Sequence, residues 1–424
     1  MLKTKKILSL LFILSLAGCN SPDSNNVNSI DNTITSFSTN SRNEGDETNN
    51  REINRKNNNL SISNLRLPAI PLVPVFAAFN NDYKTTFAEN EPIAHADPNN
   101  PDKYLYTLLE SAKTTIDAAI YDIKDPGAVN EFIVAAKRGV KIRFVTDGHN
   151  LSEPVNADDA ASPMQARQGI QAMKDAGIKF VDSGTRRGLM HNKFIVVDSS
   201  KVWTGSYNLS SFGMYRDNQN IVWINSAKMA DNYTAEFNRL FSGNFDNTPA
   251  LQIPNPVINV GDVNIQTFFS PNGGTLQGIM NELKTATKVK FMAFSFTSSD
   301  IGDQMVAISK KAGGQVEGVY DECEASNSSE QLVLNNFKSS GKIWMHSDGN
   351  QALLHHKVII LDDKTVITGS FNFSKNAELN NDENTVIIKS PAVAKLYLDE
   401  YARVKQAAIN NKNIPPYDHP ACKH

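Results

Sequence analysis

The chain is 424 residues long and carries 42 Lys and Arg against 45 Asp and Glu, a formal net charge of −3. That balance argues against a general nucleic-acid binder, because phosphate neutralisation normally shows as a basic surplus; a local basic cleft stays open. The length exceeds one ordinary hydrophobic core and points to two domains.

The N-terminus reads as an export signal rather than as structure. Lys3, Lys5 and Lys6 make a charged start, and Ile7 to Leu16 is an almost unbroken apolar run too short to cross a bilayer comfortably. It ends in Leu16-Ala17-Gly18-Cys19, which resembles the lipobox of bacterial lipoproteins. The resemblance implies that residues 1–18 are a cleaved signal peptide and that Cys19 is diacylated. It also implies anchoring in a bacterial cell envelope, at the outer membrane or cell surface. No later stretch is long and apolar enough for a membrane helix, so an anchored protein is expected, not a spanning one. Loss of the signal removes three Lys and no acid, leaving 39 basic residues against 45 acidic ones. Residues 19–67 are Asn- and Ser-rich and hold few large apolar groups, so they cannot offset their ordering entropy. A disordered tether is expected, with a reach of roughly 35–40 Å at random-coil dimensions. The remaining cysteines, Cys323 and Cys422, are either a disulfide of an oxidising compartment or two separate thiols.

Residues 68–250 and 251–424 read as two copies of one unit. HNKFIVVDSSKVWTGSYNLS at 191–210 matches HHKVIILDDKTVITGSFNFS at 355–374 without a gap, at an offset of 164. The match continues to Gln219-Asn220 against Glu383-Asn384, and to helix starts at Ser226 and Ser390. An upstream block, Ile116 to Asp147, lies over Val289 to Asp321 at an offset of 174. Ile116–Tyr121 is β-rich; Asp125 caps a helix with Pro126 in its first turn, Gly139 closes it, and Lys141–Thr146 is the next strand. The second copy repeats this with Ser299 or Asp300 as cap and Gly313 as stop. Strand, helix and strand imply a parallel pair with a right-handed crossover. Phe194–Val197 and Val358–Leu361 are continuous apolar runs, as in strands buried on both faces. The expected fold is α/β: two tandem repeats, each a central mixed sheet flanked by helices, packed about a pseudo-twofold axis.

The polar residues that interrupt these runs carry the chemistry. His191 and Lys193 are two apart and share a strand face, as do Ser206 and Asn208 on the returning strand. Asp198, at an odd spacing and near the turn at Ser199-Ser200, is expected to tie the turn or orient neighbours. The second copy supplies His355, Lys357, Asp362, Ser370 and Asn372 in the same arrangement. His356 faces the other way and reads as a packing or surface residue. Arg186 and Arg187 either draw an anionic substrate to the cleft or form a solvated loop.

These residues resemble the signature of the phospholipase D superfamily, HxK(x4)D(x6)GSxN, present here in two complete copies that include Gly205 and Gly369. The resemblance covers essentially all of the chain after the tether. It implies a metal-independent phosphodiesterase without cofactors, acting through a phosphohistidine intermediate, with His191 as nucleophile and His355 as general acid and base. Two Lys and two Asn supply donors to the non-bridging oxygens, where a metal would act elsewhere. Metal binding by the two His is disfavoured, because each has a Lys on its own face. At the acidic position that orients the histidine, the second copy has Glu383 and the first Gln219. The expectation is that Glu383 makes His355 the more basic imidazole.

The motif does not separate substrates. Surface anchoring, an acidic mature chain and a complete two-copy site favour hydrolysis of phospholipid head groups at a membrane surface. A non-specific nuclease acting on DNA or RNA and a non-catalytic phosphate-binding module are the alternatives. A monomer is expected.

Overall fold

The computed structural model describes residues 67–81, 93, 94, 96, 97, 99–152, 166–245, 252–350 and 352–410. The signal, Cys19, the tether and Cys422 lie outside the described residues. Two mixed sheets flanked by helices make up the architecture.

The first sheet joins β1 (Val75–Phe79), β2 (Thr115–Ile120), β3 (Lys141–Thr146), β4 (Lys179–Asp182), β5 (Lys193–Val197), β6 (Lys201–Gly205) and β7 (Asn220–Asn225). Their order is β1-β7-β6-β5-β2-β3-β4. The strands β2, β3 and β4 run parallel, while β2–β5, β5–β6, β6–β7 and β1–β7 are antiparallel. The second sheet joins β8 (Val257–Val260), β9 (Val263–Ser270), β10 (Lys288–Ala293), β11 (Gln315–Tyr320), β12 (Ile343–Ser347), β13 (Lys357–Leu361), β14 (Thr365–Gly369) and β15 (Glu383–Lys389). Its order, β12-β11-β10-β13-β14-β15-β9-β8, repeats the first and adds one edge strand, β8.

Local signals explain the matching elements. Helix α1 (Pro126–Lys137) starts where the Asp125 side chain accepts the Ala128 N–H and Pro126 needs no partner, and Gly139 follows its end at φ +91°. In the second half the cap is Ser298, one residue ahead of the expected Ser299 or Asp300, and it opens α2 (Ser299–Lys310). The repeat offset is therefore 173 from β2 to β10 and becomes 174 only at β11, the extra residue lying in the turn around Gly313 and Gly314.

Both faces of the central strands are buried, which is why their sequences are continuously apolar. Phe194 and Val196 of β5 point into a core shared by both sheets, whereas Ile195 and Val197 point into the outer core of the first half. In β13, Val358 and Ile360 face the shared core, and Ile359 and Leu361 the outer core of the second half. The shared core is filled by α3 (Ala227–Phe241) and α4 (Pro391–Asn410), through Tyr233, Phe237, Tyr397 and Tyr401. This common layer sets the two halves against each other and brings the mouths of β5 and β13 together. Cys323 is disulfide-bonded, and no second cysteine is among the described residues.

Candidate active site

The histidines sit just ahead of β5 and β13, where the chain enters each sheet. A buried carboxylate holds each entry. Asp147 accepts the Met190 N–H at 2.7 Å, and Asp321 accepts the Leu354 N–H at 2.8 Å. Neither Asp was singled out from sequence, although both end matching strands in the aligned blocks. The backbone then crosses between halves: His191 N–H donates to the Asp382 carbonyl and His355 N–H to the Asn218 carbonyl, both at 2.9 Å.

The side chains cross in the same way. His191 Nδ1 lies 2.8 Å from Glu383 Oε2, and His355 Nδ1 lies 2.8 Å from Gln219 Oε1 and 3.1 Å from the Ser206 carbonyl. Each imidazole is thus oriented by the opposite copy, as a twofold relation requires. This overturns the expectation that Glu383 serves His355: the carboxylate belongs to His191, and His355 receives the amide. Gln219 is fully engaged, since its Oε1 also accepts the Asn208 N–H at 3.2 Å and its Nε2 donates to the Gly213 carbonyl at 2.8 Å.

The lysines are buried beside the rings. Lys193 Nζ donates to the His191 carbonyl and Lys357 Nζ to the His355 carbonyl, each at 2.9 Å. Lys193 Nζ also lies 4.8 Å from the centre of the Tyr121 ring, and Lys357 Nζ 4.6 Å from that of Phe294. The same two rings pack on His191 and His355, at 4.9 and 4.8 Å. Tyr121 and Phe294 escaped the sequence reading because they occupy equivalent places as different residue types.

The rest of the signature has mixed roles. Gly205 and Gly369 adopt φ +147° and +149°, and a Cβ on either would lie 2.2 Å from the Asn220 or Asn384 carbonyl oxygen. Ser206 and Ser370 accept the backbone N–H of Asn220 and Asn384, which ties β6 to β7 and β14 to β15. Asn208 and Asn372 each keep a buried Oδ1 without a partner among the described residues, and Asn372 lines the same cleft as His191. Asp198 and Asp362 are not part of this cluster. They lie at the far ends of β5 and β13, at φ +49° in both turns, and accept backbone N–H groups at the starts of β2 and β10. Arg186 is ion-paired with Asp382, which Arg239 also binds at 2.7 Å. His356 is fully buried, not at the surface: its Nε2 meets Glu400 at 2.9 Å. Among the described residues, no three His, Cys, Asp or Glu side chains group as a metal cage needs.

Burial dominates the electrostatics. It pushes the His191 imidazole below its ordinary value; Glu383 opposes this, and Lys193 and Lys357 add to it. His355 is pushed further down, by burial and then by Lys357, Lys193 and His191, with no carboxylate to compensate. Burial lowers Lys193 to about 7 against the pull of Glu383, Asp122 and Asp147, and lowers Lys357 strongly as well. A pocket that crowds cations this way is relieved by an anion, and a phosphate entering it would raise the proton affinity of all four groups.

Comparison with known proteins gives the family and the fold. The family model described as "Cardiolipin synthase, PLD-like domain" matches residues 105–241 and 279–405, more than half of the chain. A phospholipase D of Rickettsia prowazekii is 32% identical over 131 residues, 31% of this chain and 58% of that protein. A mitochondrial cardiolipin hydrolase of Mus musculus is 31% identical over 124 residues, 29% of this chain and 53% of that protein. The chain therefore spans a little over half the length of these curated relatives. The crystal structure of phosphatidylserine synthase from Haemophilus influenzae Rd KW20 matches 87% of this chain and 95% of its own. Its TM-score is 0.56 at 15% identity, a likeness of fold.

Proposed function

The chain belongs to the PLD-like (phospholipase D-like) superfamily, and on that premise we propose that it hydrolyses phospholipid head groups without a metal, through a phosphohistidine. The observation that carries this reading is the pair of imidazoles, each locked through Nδ1 by the opposite half and flanked by a buried Lys. Locking Nδ1 leaves Nε2 of each ring for chemistry.

His191 Nε2 attacks phosphorus while the bond to the leaving oxygen breaks. The phospho-imidazolium so formed keeps its Nδ1–H against Glu383, whose charge neutralises it. His355 is protonated once the anionic diester offsets the cations around it, and it passes that proton from Nε2 to the leaving oxygen. It then takes a proton from water, whose oxygen attacks phosphorus and frees His191. Lys193, Lys357, Asn208 and Asn372 supply donors to the non-bridging oxygens as charge accumulates there. Lipid anchoring at Cys19 would hold this site at a membrane of the bacterial envelope, with the protein acting as a monomer.

The cleft supports a lipid over a polyanion. Beyond the buried Lys193 and Lys357 beside the histidines, no Arg or Lys is among the described residues that line it, and Arg186 is tied to Asp382. The test is purified protein on phosphatidylethanolamine vesicles in EDTA with ethanol present, beside plasmid DNA. Release of ethanolamine with formation of phosphatidylethanol supports the reading; DNA cleavage without lipid turnover replaces it with a nuclease; neither activity leaves a phosphate-binding module.

A further inference from the structure

A cavity of about 390 Å³ opens beside His191, and the second half supplies most of its wall. Thr297, Asn327, Ser374 and Asn376 line it with hydroxyl and amide groups, and Phe294 forms part of it next to His355. Glu324 is the one acidic residue among the lining residues described. Its carboxylate makes no ion pair or hydrogen bond with any described residue, although its charge is felt by the buried Lys357. Its loop is nevertheless held in place: the Glu324 N–H donates to Asp321 at 3.0 Å, and the neighbouring Cys323 is disulfide-bonded. Counting on from Asp147 and Asp321, the equivalent residue of the first half is Asn150, whose amide is turned onto the Tyr121 carbonyl at 2.6 Å. The carboxylate is thus no by-product of the repeat.

An acid beside an anion site weakens the binding of any substrate that is negative throughout. It becomes favourable when the substrate carries a positive charge a few bonds from its phosphate. We propose that Glu324 selects phosphodiesters whose leaving alcohol bears an ammonium group, as ethanolamine and choline do, and that this cavity holds the head group. The proposal rests on the phospholipid reading and names the part of the lipid that the site distinguishes. In that placement the polar wall accommodates the hydroxyl of the alcohol and Glu324 its nitrogen.

Mixed micelles of phosphatidylethanolamine and of phosphatidylglycerol separate the cationic head group from a neutral one on the same phosphate. For Glu324→Gln, the ratio of kcat/KM on the first to that on the second should fall about tenfold, the worth of one partly buried ion pair. Glu324→Lys should invert the preference. Loss of fold would lower both rates together, so the ratio is read on variants whose thermal unfolding matches that of the wild type, and an unchanged ratio in them overturns the proposal. Wild-type protein that cleaves DNA and neither lipid overturns the phospholipid reading and this inference together. Lipid turnover with a ratio insensitive to position 324 overturns the inference alone.

Discussion

Glu383→Gln keeps the shape of the His191 partner and removes its charge. Glu383 is fully buried, with Oε2 at 2.8 Å from His191 Nδ1 and Oε1 accepting from Asn381 at 3.1 Å. A hydrogen bond to a charged group contributes about 1.5–3 kcal/mol and a neutral one about 0.5–1.5 kcal/mol. The difference, about 1–2 kcal/mol, acts where His191 carries phosphorus and is cationic. It should slow formation of the covalent intermediate by roughly 5–30-fold. The sign with pH follows from the same contact. Glu383 holds the proton affinity of His191 up against burial, so its loss lowers that affinity further. The acidic limb of kcat/KM, which reports His191 becoming neutral, should move to lower pH. Stopped-flow release of nitrophenolate from bis(p-nitrophenyl) phosphate, followed across pH, reads both quantities. An unchanged burst rate with an unmoved acidic limb would refute the role of the carboxylate.

Asp198→Ala removes the acceptor for the Lys113, Thr114 and Thr115 N–H groups, at 2.9, 2.8 and 3.0 Å. It should cost about 1–2 kcal/mol in urea unfolding while kcat per folded molecule holds within about twofold. These contacts hold the Asp198 carboxyl below its ordinary value although burial works the other way, so the loss should shrink as pH falls through that depressed value. Arg403→Ala removes the cation that contacts the buried Glu400 carboxylate at 2.7 and 2.8 Å and leaves it only the buried His356. A fall of about 3–5 kcal/mol in unfolding free energy is expected, and a change below about 1 kcal/mol would contradict it. Burial alone would raise Glu400, but Arg403 and His356 bring it to about 2. Its contribution in the intact protein is therefore full at neutral pH and fades as pH drops from the ordinary carboxylate range toward that value.

The repeat and the sheet strands were legible because they rest on local rules. Continuous apolar runs at Phe194–Val197 and Val358–Leu361, the Asp125 cap with Pro126, and Gly139 at positive φ each declare themselves within a few residues. The sharing of partners between halves was not legible. Nothing in the one-dimensional alignment says whether Glu383 turns toward the histidine of its own copy or of the other, because that depends on how α3 and α4 set the two sheets together. The same limit hid Asp147 and Asp321, whose bonds to Met190 and Leu354 span 43 and 33 residues. It also hid the burial of His356, which meets Glu400 from a helix that follows the last strand. Side-chain direction along a strand follows from spacing; the choice among partners delivered by another element does not.

A burst experiment on His191→Ala and His355→Ala bears most directly on the claim that one site is assembled from both halves. Nitrophenolate leaves without a proton, so the His355 variant should release about one equivalent per chain and stop, lacking a base for water, whereas the His191 variant should release none. Steady turnover by either variant, or a burst of two equivalents per chain in the wild-type protein, would mean that the halves work separately.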